Sequence, residues 1–129
     1  GKRIILLAKG RLTTDMAIRL LGLFNGTTDK DGFADADFVI EAVFEEMAVK
    51  QQVFAEVEAV VSPECVLATN TSSLSITEIS TANSKPGRVI GVHFFNPAPV
   101  QNLVEIVKTV GRYWIEIVAL PPECHRAVA

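Results

Sequence analysis

The sequence predicts an α/β fold, a parallel sheet flanked by helices, and three observations carry that expectation. Short continuous apolar runs at Phe38-Val39-Ile40, Val66-Leu67-Ala68 and residues 89–95 are bounded by turn signals, as buried strands are. Between the first two runs the apolar period changes to that of a helix, and the order strand, helix, strand, helix, strand at this spacing marks βαβ units. The composition agrees: 49% of residues are hydrophobic and mean hydropathy is +0.31. No apolar run reaches the roughly 20 residues that span a bilayer, so the surplus is assigned to strands covered on both faces.

Taken in order, residues 2–9 are expected to be the end of a helix stopped at Gly10. Thr13 or Thr14 then caps a second helix that runs to about Leu23, with Asp15 favourably placed in its first turn. Asn25-Gly26 breaks the chain, residues 27–29 read as a short strand, and 31–37 are polar and rich in turn formers. Phe38-Val39-Ile40, leading into Glu41-Ala42-Val43, reads as a buried strand. From 46 to 61, Val49, Val53, Val57 and Val60 form one helical stripe, with Lys50 and Glu56 outside it. Ser62-Pro63 ends that helix. Residues 66–69 form a second buried strand, followed by the polar loop Asn70-Thr71-Ser72-Ser73. Ser75 with Glu78 has the pattern of a capping box for a short helix. After Lys85-Pro86-Gly87 come a strand over 89–95 and one more over 103–107.

At 129 residues the chain makes at most one ordinary domain. It opens on Gly1 rather than Met and goes at once into Ile4-Ile5-Leu6-Leu7, which predicts an excerpt from a longer chain. Cys65 and Cys124 form no Cys-x-x-Cys and no ligand cluster, so both are expected to be ordinary reduced thiols, and no metal is expected. Net charge is −3, and residues 41–80 carry Glu41, Glu45, Glu46, Glu56, Glu58, Glu64 and Glu78 against the single base Lys50. That balance does not suit nucleic acid, no membrane partner is expected, and the acids read as a solvated helix face. Nothing marks secretion. The default is a cytoplasmic protein, with organellar import left open.

The run His93-Phe94-Phe95-Asn96-Pro97 places one histidine at the end of an apolar strand, before a proline-broken turn. Ser72 lies 21 residues earlier and Glu105 lies 12 later. In a parallel sheet with right-handed crossovers the loops after the strands share one edge, where ligands bind. That edge gathers Phe44-Glu45, 70–73 and 93–97. Histidine suits a general base because imidazole titrates near neutrality in water. Glu105 is the candidate to fix its tautomer from the other ring nitrogen. Ser72 is the candidate to bond a substrate oxygen, against a reading as a turn or cap residue, for which Ser73 serves equally. Asn70 suits either a cofactor amide or a polar turn. Glu45 and Lys50 suit ribose hydroxyls or, from spacing alone, a surface ion pair.

The segments Val39-Ile40-Glu41-Ala42-Val43-Phe44-Glu45 with Lys50, Asn70-Thr71-Ser72-Ser73-Leu74, His93 through Val100 and Leu103-Val104-Glu105 together resemble the NAD-binding domain of 3-hydroxyacyl-CoA dehydrogenases. The resemblance runs from about Lys9 to Thr109, and Ala98-Pro99-Val100 is closer to stand-alone short-chain enzymes such as 3-hydroxybutyryl-CoA dehydrogenases than to multifunctional β-oxidation proteins. It implies oxidation of a (3S)-3-hydroxyacyl-CoA to the 3-ketoacyl-CoA with hydride transfer to NAD. The implied catalytic residues are His93 as base, Glu105 as its partner and Ser72 on the substrate's C3 oxygen. Cofactor contacts are implied at Ala42, Glu45, Lys50 and Asn70.

The implied fold is a partial Rossmann-like parallel sheet, lacking the first βαβ phosphate-binding unit, because no Gly-x-Gly-x-x-Gly turn is present and Gly22 and Gly26 do not form one. Residues 1–110 are then the C-terminal part of a dinucleotide-binding domain and 111–129 a divergent tail in which Cys124 and His125 have no role. The family's helical domain, through which the full-length enzyme is expected to form a homodimer, has no counterpart here. The chain by itself is therefore expected to be inactive. The alternative is a truncated, non-catalytic product or interaction module of the same fold.

Overall fold

The computed structural model describes residues 13–95 and 103–108, together with the backbone of 115–119. The expected helix over 2–9, the Asn96-Pro97 turn, Cys124 and His125 lie outside the described residues. Thr13 starts helix α1 (Thr14–Gly22) by accepting the Met16 N–H at 3.2 Å, one of the donors a helix start leaves unpaired. Residues 27–29 do not form the expected strand. Asp29 instead accepts the Asp31 N–H at 3.1 Å and opens a 3₁₀ turn over Lys30–Phe33. A short carboxylate that bonds its own backbone two residues on competes with the ladder a strand needs.

Five strands form one sheet in the order β1 (Phe38–Glu41), β2 (Val66–Thr69), β3 (Val89–Phe94), β4 (Leu103–Lys108) and β5 (Ile115–Ala119). β1, β2 and β3 are parallel, joined through α2 (Met47–Glu58) and α3 (Ile76–Ser80), whereas β4 and β5 add antiparallel to β3. The result is a Rossmann-like, partly parallel sheet flanked by helices, and among the described residues no strand lies beyond β1. β5 falls in 111–129, the segment set apart as a tail, yet its backbone pairs with β4 along its whole length.

Phe54, Val57 and Val61 of the α2 segment pack with Ile79 on Leu67 and Val89, forming the core on one face of the sheet. Ala68, Val92 and Val104 gather a smaller cluster, as the strand's alternation requires. Two expectations change here. The apolar run of β1 predicts a buried strand, but as an edge strand it leaves Phe38 and Ile40 each 46% exposed. The valine stripe places Lys50 outside the apolar face of α2, but it is wholly buried, on the face that carries Phe54 and Val57.

The acids are likewise not all a solvated face. Glu41 is buried, and Glu58 ties α2 to the turn before β3 through Arg88 at 2.8 Å and the Ser84 N–H at 2.8 Å. Burial works against the charge of Glu58, but these hydrogen bonds outweigh it and hold its pKa at about 2. Burial also raises the Cys65 thiol, consistent with an unreactive core cysteine.

Gly91 sits in β3 opposite Val107, under Ile76 of α3. A Cβ there would overlap the Ile76 Cδ1 methyl and come to 3.2 Å from Val107 Cβ. Gly91→Ala should therefore destabilise the chain by about 1–3 kcal/mol, the range for overpacking a filled core. Urea unfolding measures it, and a midpoint equal to that of the parent would show that the sheet and α3 yield freely.

Candidate active site

The parallel strands deliver their C-terminal ends to one edge, and the polar groups there are connected. At the end of β1, Glu41 turns inward and its carboxylate takes three donors: Lys50 Nζ at 2.7 Å, the Thr69 hydroxyl at 2.7 Å and the Val43 N–H at 2.6 Å. An inward charge on a strand end is tolerated because these donors replace its water. Lys50 also faces Glu45 Oε2 at 3.3 Å. The ion pair read from the Glu45–Lys50 spacing is thus present but is not a surface pair, since its cation is wholly buried while Glu45 is 40% exposed.

Glu45 Oε1 reaches across to the loop after β2, where it accepts the Thr71 hydroxyl, the Ser73 hydroxyl at 3.1 Å and the Ser72 N–H at 3.2 Å. The Thr71 bond is the largest influence on this carboxyl, and with Ser73 and Lys50 it overcomes the effect of burial and lowers the pKa to about 2. Thr71 Oγ1 also accepts the Leu74 N–H at 3.0 Å and the Ser73 N–H at 3.3 Å. The turn-closing role considered for Ser72 and Ser73 therefore belongs to Thr71. The next helix is capped by Ser75, which accepts the Glu78 N–H at 3.3 Å. Ser72 is exposed, and its hydroxyl has no partner among the described residues.

His93 and Glu105 are directly opposed in the antiparallel β3–β4 pair, which brings their side chains together on one face. His93 Nδ1 lies 3.3 Å from Glu105 Oε2, and Nε2 has no partner among the described residues. The Phe95 ring packs beside the imidazole, centroids 4.9 Å apart. Asn70 joins the two halves of the edge: its Oδ1 accepts the N–H of Phe94, the residue after His93, at 3.2 Å. A histidine paired with a carboxylate can accept the proton of an alcohol.

Of the residues singled out from sequence, the structure joins His93 to Glu105, Ser72 and Lys50 to Glu45, and Asn70 to the strand carrying His93. Ala42, the residue after β1, lines a cleft of about 350 Å³ along that strand with Phe33, Phe38, Ile40 and Glu41. Sequence reasoning missed the roles of Glu41, Thr69 and Thr71, and weighed Ser73 as a turn or cap residue. A signal for Lys50 was available, since 50, 54, 57 and 61 follow one helical stripe. Among the described residues no cluster of His, Cys, Asp or Glu could hold a metal, and no helix is long and apolar enough to cross a membrane.

Residues 4–112 match the family model described as the NAD-binding domain of 3-hydroxyacyl-CoA dehydrogenase. A 3-hydroxybutyryl-CoA dehydrogenase of Mycobacterium tuberculosis is 49% identical over 102 residues, which are 78% of this chain and 36% of that protein. A peroxisomal fatty acid β-oxidation multifunctional protein of Arabidopsis thaliana is 44% identical over 104 residues, 81% of this chain and 14% of that protein. The crystal structure of FadB2 from M. tuberculosis superposes with a TM-score of 0.81 at 40% identity, covering 98% of this chain and 41% of that one. This chain thus spans about a third, or less, of the length of the curated relatives it matches.

Proposed function

This chain belongs to the family of 3-hydroxyacyl-CoA dehydrogenase NAD-binding domains, and from that membership we propose that it carries the proton-transfer apparatus for oxidising a (3S)-3-hydroxyacyl-CoA to the 3-ketoacyl-CoA, with NAD as cofactor. The observation that carries the reading is the opposed pair His93–Glu105, with Nδ1 on the carboxylate and no partner of Nε2 among the described residues. The Ser72 hydroxyl binds the C3 oxygen of the substrate and fixes its position. His93 Nε2 takes the hydroxyl proton, and the Glu105 carboxylate stabilises the imidazolium that forms and holds the ring's orientation.

The residues at this edge fit the cofactor. Among the described residues Asn70 bonds through its Oδ1, so its NH₂ donors suit the carbonyl of a nicotinamide amide. Ala42 is exposed and small, allowing close approach at the end of β1. Bound NAD supplies the hydride acceptor. Glu45 offers its exposed flank to ribose hydroxyls, while Lys50, buried, acts on that contact only by fixing Glu45.

The test is a hybrid enzyme in which residues 4–112 replace their counterpart in the M. tuberculosis 3-hydroxybutyryl-CoA dehydrogenase. NAD-dependent oxidation of (3S)-3-hydroxybutyryl-CoA is expected. A folded hybrid that binds NADH without turnover would favour the non-catalytic reading of the segment.

A further inference from the structure

Glu45 has a second set of contacts that a purely cofactor-facing carboxylate does not need. One oxygen collects donors from three consecutive residues, the Thr71 hydroxyl, the Ser72 N–H and the Ser73 hydroxyl, and the other faces the buried Lys50 ammonium at 3.3 Å. Lys50 is fixed in turn by Glu41, which also holds Thr69 at the end of β2. The hydroxyls on either side of Ser72 are therefore committed to Glu45, while that of Ser72 has no partner among the described residues.

We propose that Glu45 is a positioning residue that holds 71–73 by their donors, keeps the Ser72 hydroxyl free and aims it at the substrate oxygen. This rests on the reading of Ser72 and His93 given above, and it adds a residue that acts through Ser72 without touching substrate. Two anchors set the loop: Glu45 holds 71–73, and Asn70 ties the loop's first residue to Phe94, next to His93. The base and the hydroxyl are thereby referred to one frame, as preorganised catalysis requires. The low pKa of Glu45 means that the carboxylate keeps accepting throughout the neutral and mildly acidic range.

Two measurements decide it. In the full 129-residue chain, backbone amide exchange at Ser72 should quicken by about tenfold in Glu45→Gln, whose side chain is a weaker acceptor. Thr71→Val/Ser73→Ala, which leaves Glu45 intact, should loosen the same amide. An unchanged Ser72 amide in both variants overturns the clamp, whatever the turnover of the hybrid enzyme.

In the hybrid enzyme, Glu45→Gln should lower kcat at saturating NAD by about 10- to 100-fold, the scale of a lost positioning contact, over and above any rise in KM for NAD from the weakened ribose contact. It should add nothing in a Ser72→Ala background. A raised KM for NAD with kcat intact, or full additivity with Ser72→Ala, would mean that Glu45 acts on the cofactor alone and would overturn the proposal. If Ser72→Ala itself leaves turnover intact, the underlying reading of Ser72 fails, a result separable from the amide measurement.

Discussion

Replacing His93 by glutamine in the hybrid enzyme is expected to lower turnover of (3S)-3-hydroxybutyryl-CoA by about 10²- to 10⁴-fold, the usual contribution of a positioned general base. NAD affinity should stay within about twofold, because the groups proposed to face the cofactor, Asn70, Ala42 and Glu45, do not depend on the imidazole for their position. Glutamine can still donate to Glu105, so the β3–β4 pairing and the local packing against Phe95 have a substitute. What it cannot do is take a proton at neutral pH.

The expected loss, about 3–5 kcal/mol of barrier by the usual conversion, is therefore chemical rather than structural. Glu105→Gln should cost less, because the base remains and only its orientation and the charge facing the imidazolium are weakened. Steady-state kinetics with a parallel NADH titration separates these effects. Turnover by His93→Gln within tenfold of the parent would remove His93 from the role of base.

Much of this site is legible in the sequence, and the parts that are not share a cause. The strand at Val66–Thr69 is found at the predicted residues because a proline and an asparagine mark its flanks and its apolar run is unbroken. The pairing of His93 with Glu105 follows from two strands separated by a short, proline-rich break, and a spacing of 12 allows that hairpin. The strand expected at 27–29 fails because Asp29 satisfies a backbone donor locally, something a pattern of residue types does not weigh.

Phe38 and Ile40 look buried by composition but lie on the edge strand of the described sheet, and whether a strand is central or lateral is a property of the whole sheet. The hold of Glu45 on 71–73 joins positions 26 to 28 residues apart, so no local period could reveal it. Lys50 is the opposite case: its spacing with Phe54 and Val57 is readable, but its charged type argues against the position it holds. A lysine on an apolar stripe is a reason to look for a carboxylate, and Glu41 stands nine residues earlier.

That buried lysine is where the largest loss of stability is expected. Lys50→Met keeps the length and apolar character of the stem but removes the cation, leaving Glu41, 5% exposed, with its charge facing Glu45 and no counterion. Breaking a buried pair by deleting one partner costs about 3–5 kcal/mol, since the remaining ion has lost its water and gained nothing in return. The Thr69 hydroxyl and the Val43 N–H still donate to Glu41 and temper the cost without cancelling it.

Adding Glu41→Gln to Lys50→Met removes the stranded charge; the amide oxygen can keep the Val43 N–H and the amide NH₂ can donate to the Thr69 hydroxyl in place of the second carboxylate oxygen, so the double variant should recover most of the stability lost in the single one. Urea unfolding of the parent, both singles and the double gives the coupling energy directly. A Lys50→Met midpoint corresponding to less than about 1 kcal/mol of loss, well under the usual cost of a broken buried pair, would mean that water reaches Glu41 in the variant. Additive singles would mean that the two side chains are held by the surrounding backbone rather than by each other. Strong coupling would identify this pair as the foundation on which Glu45, and through it the Ser72 loop, is set.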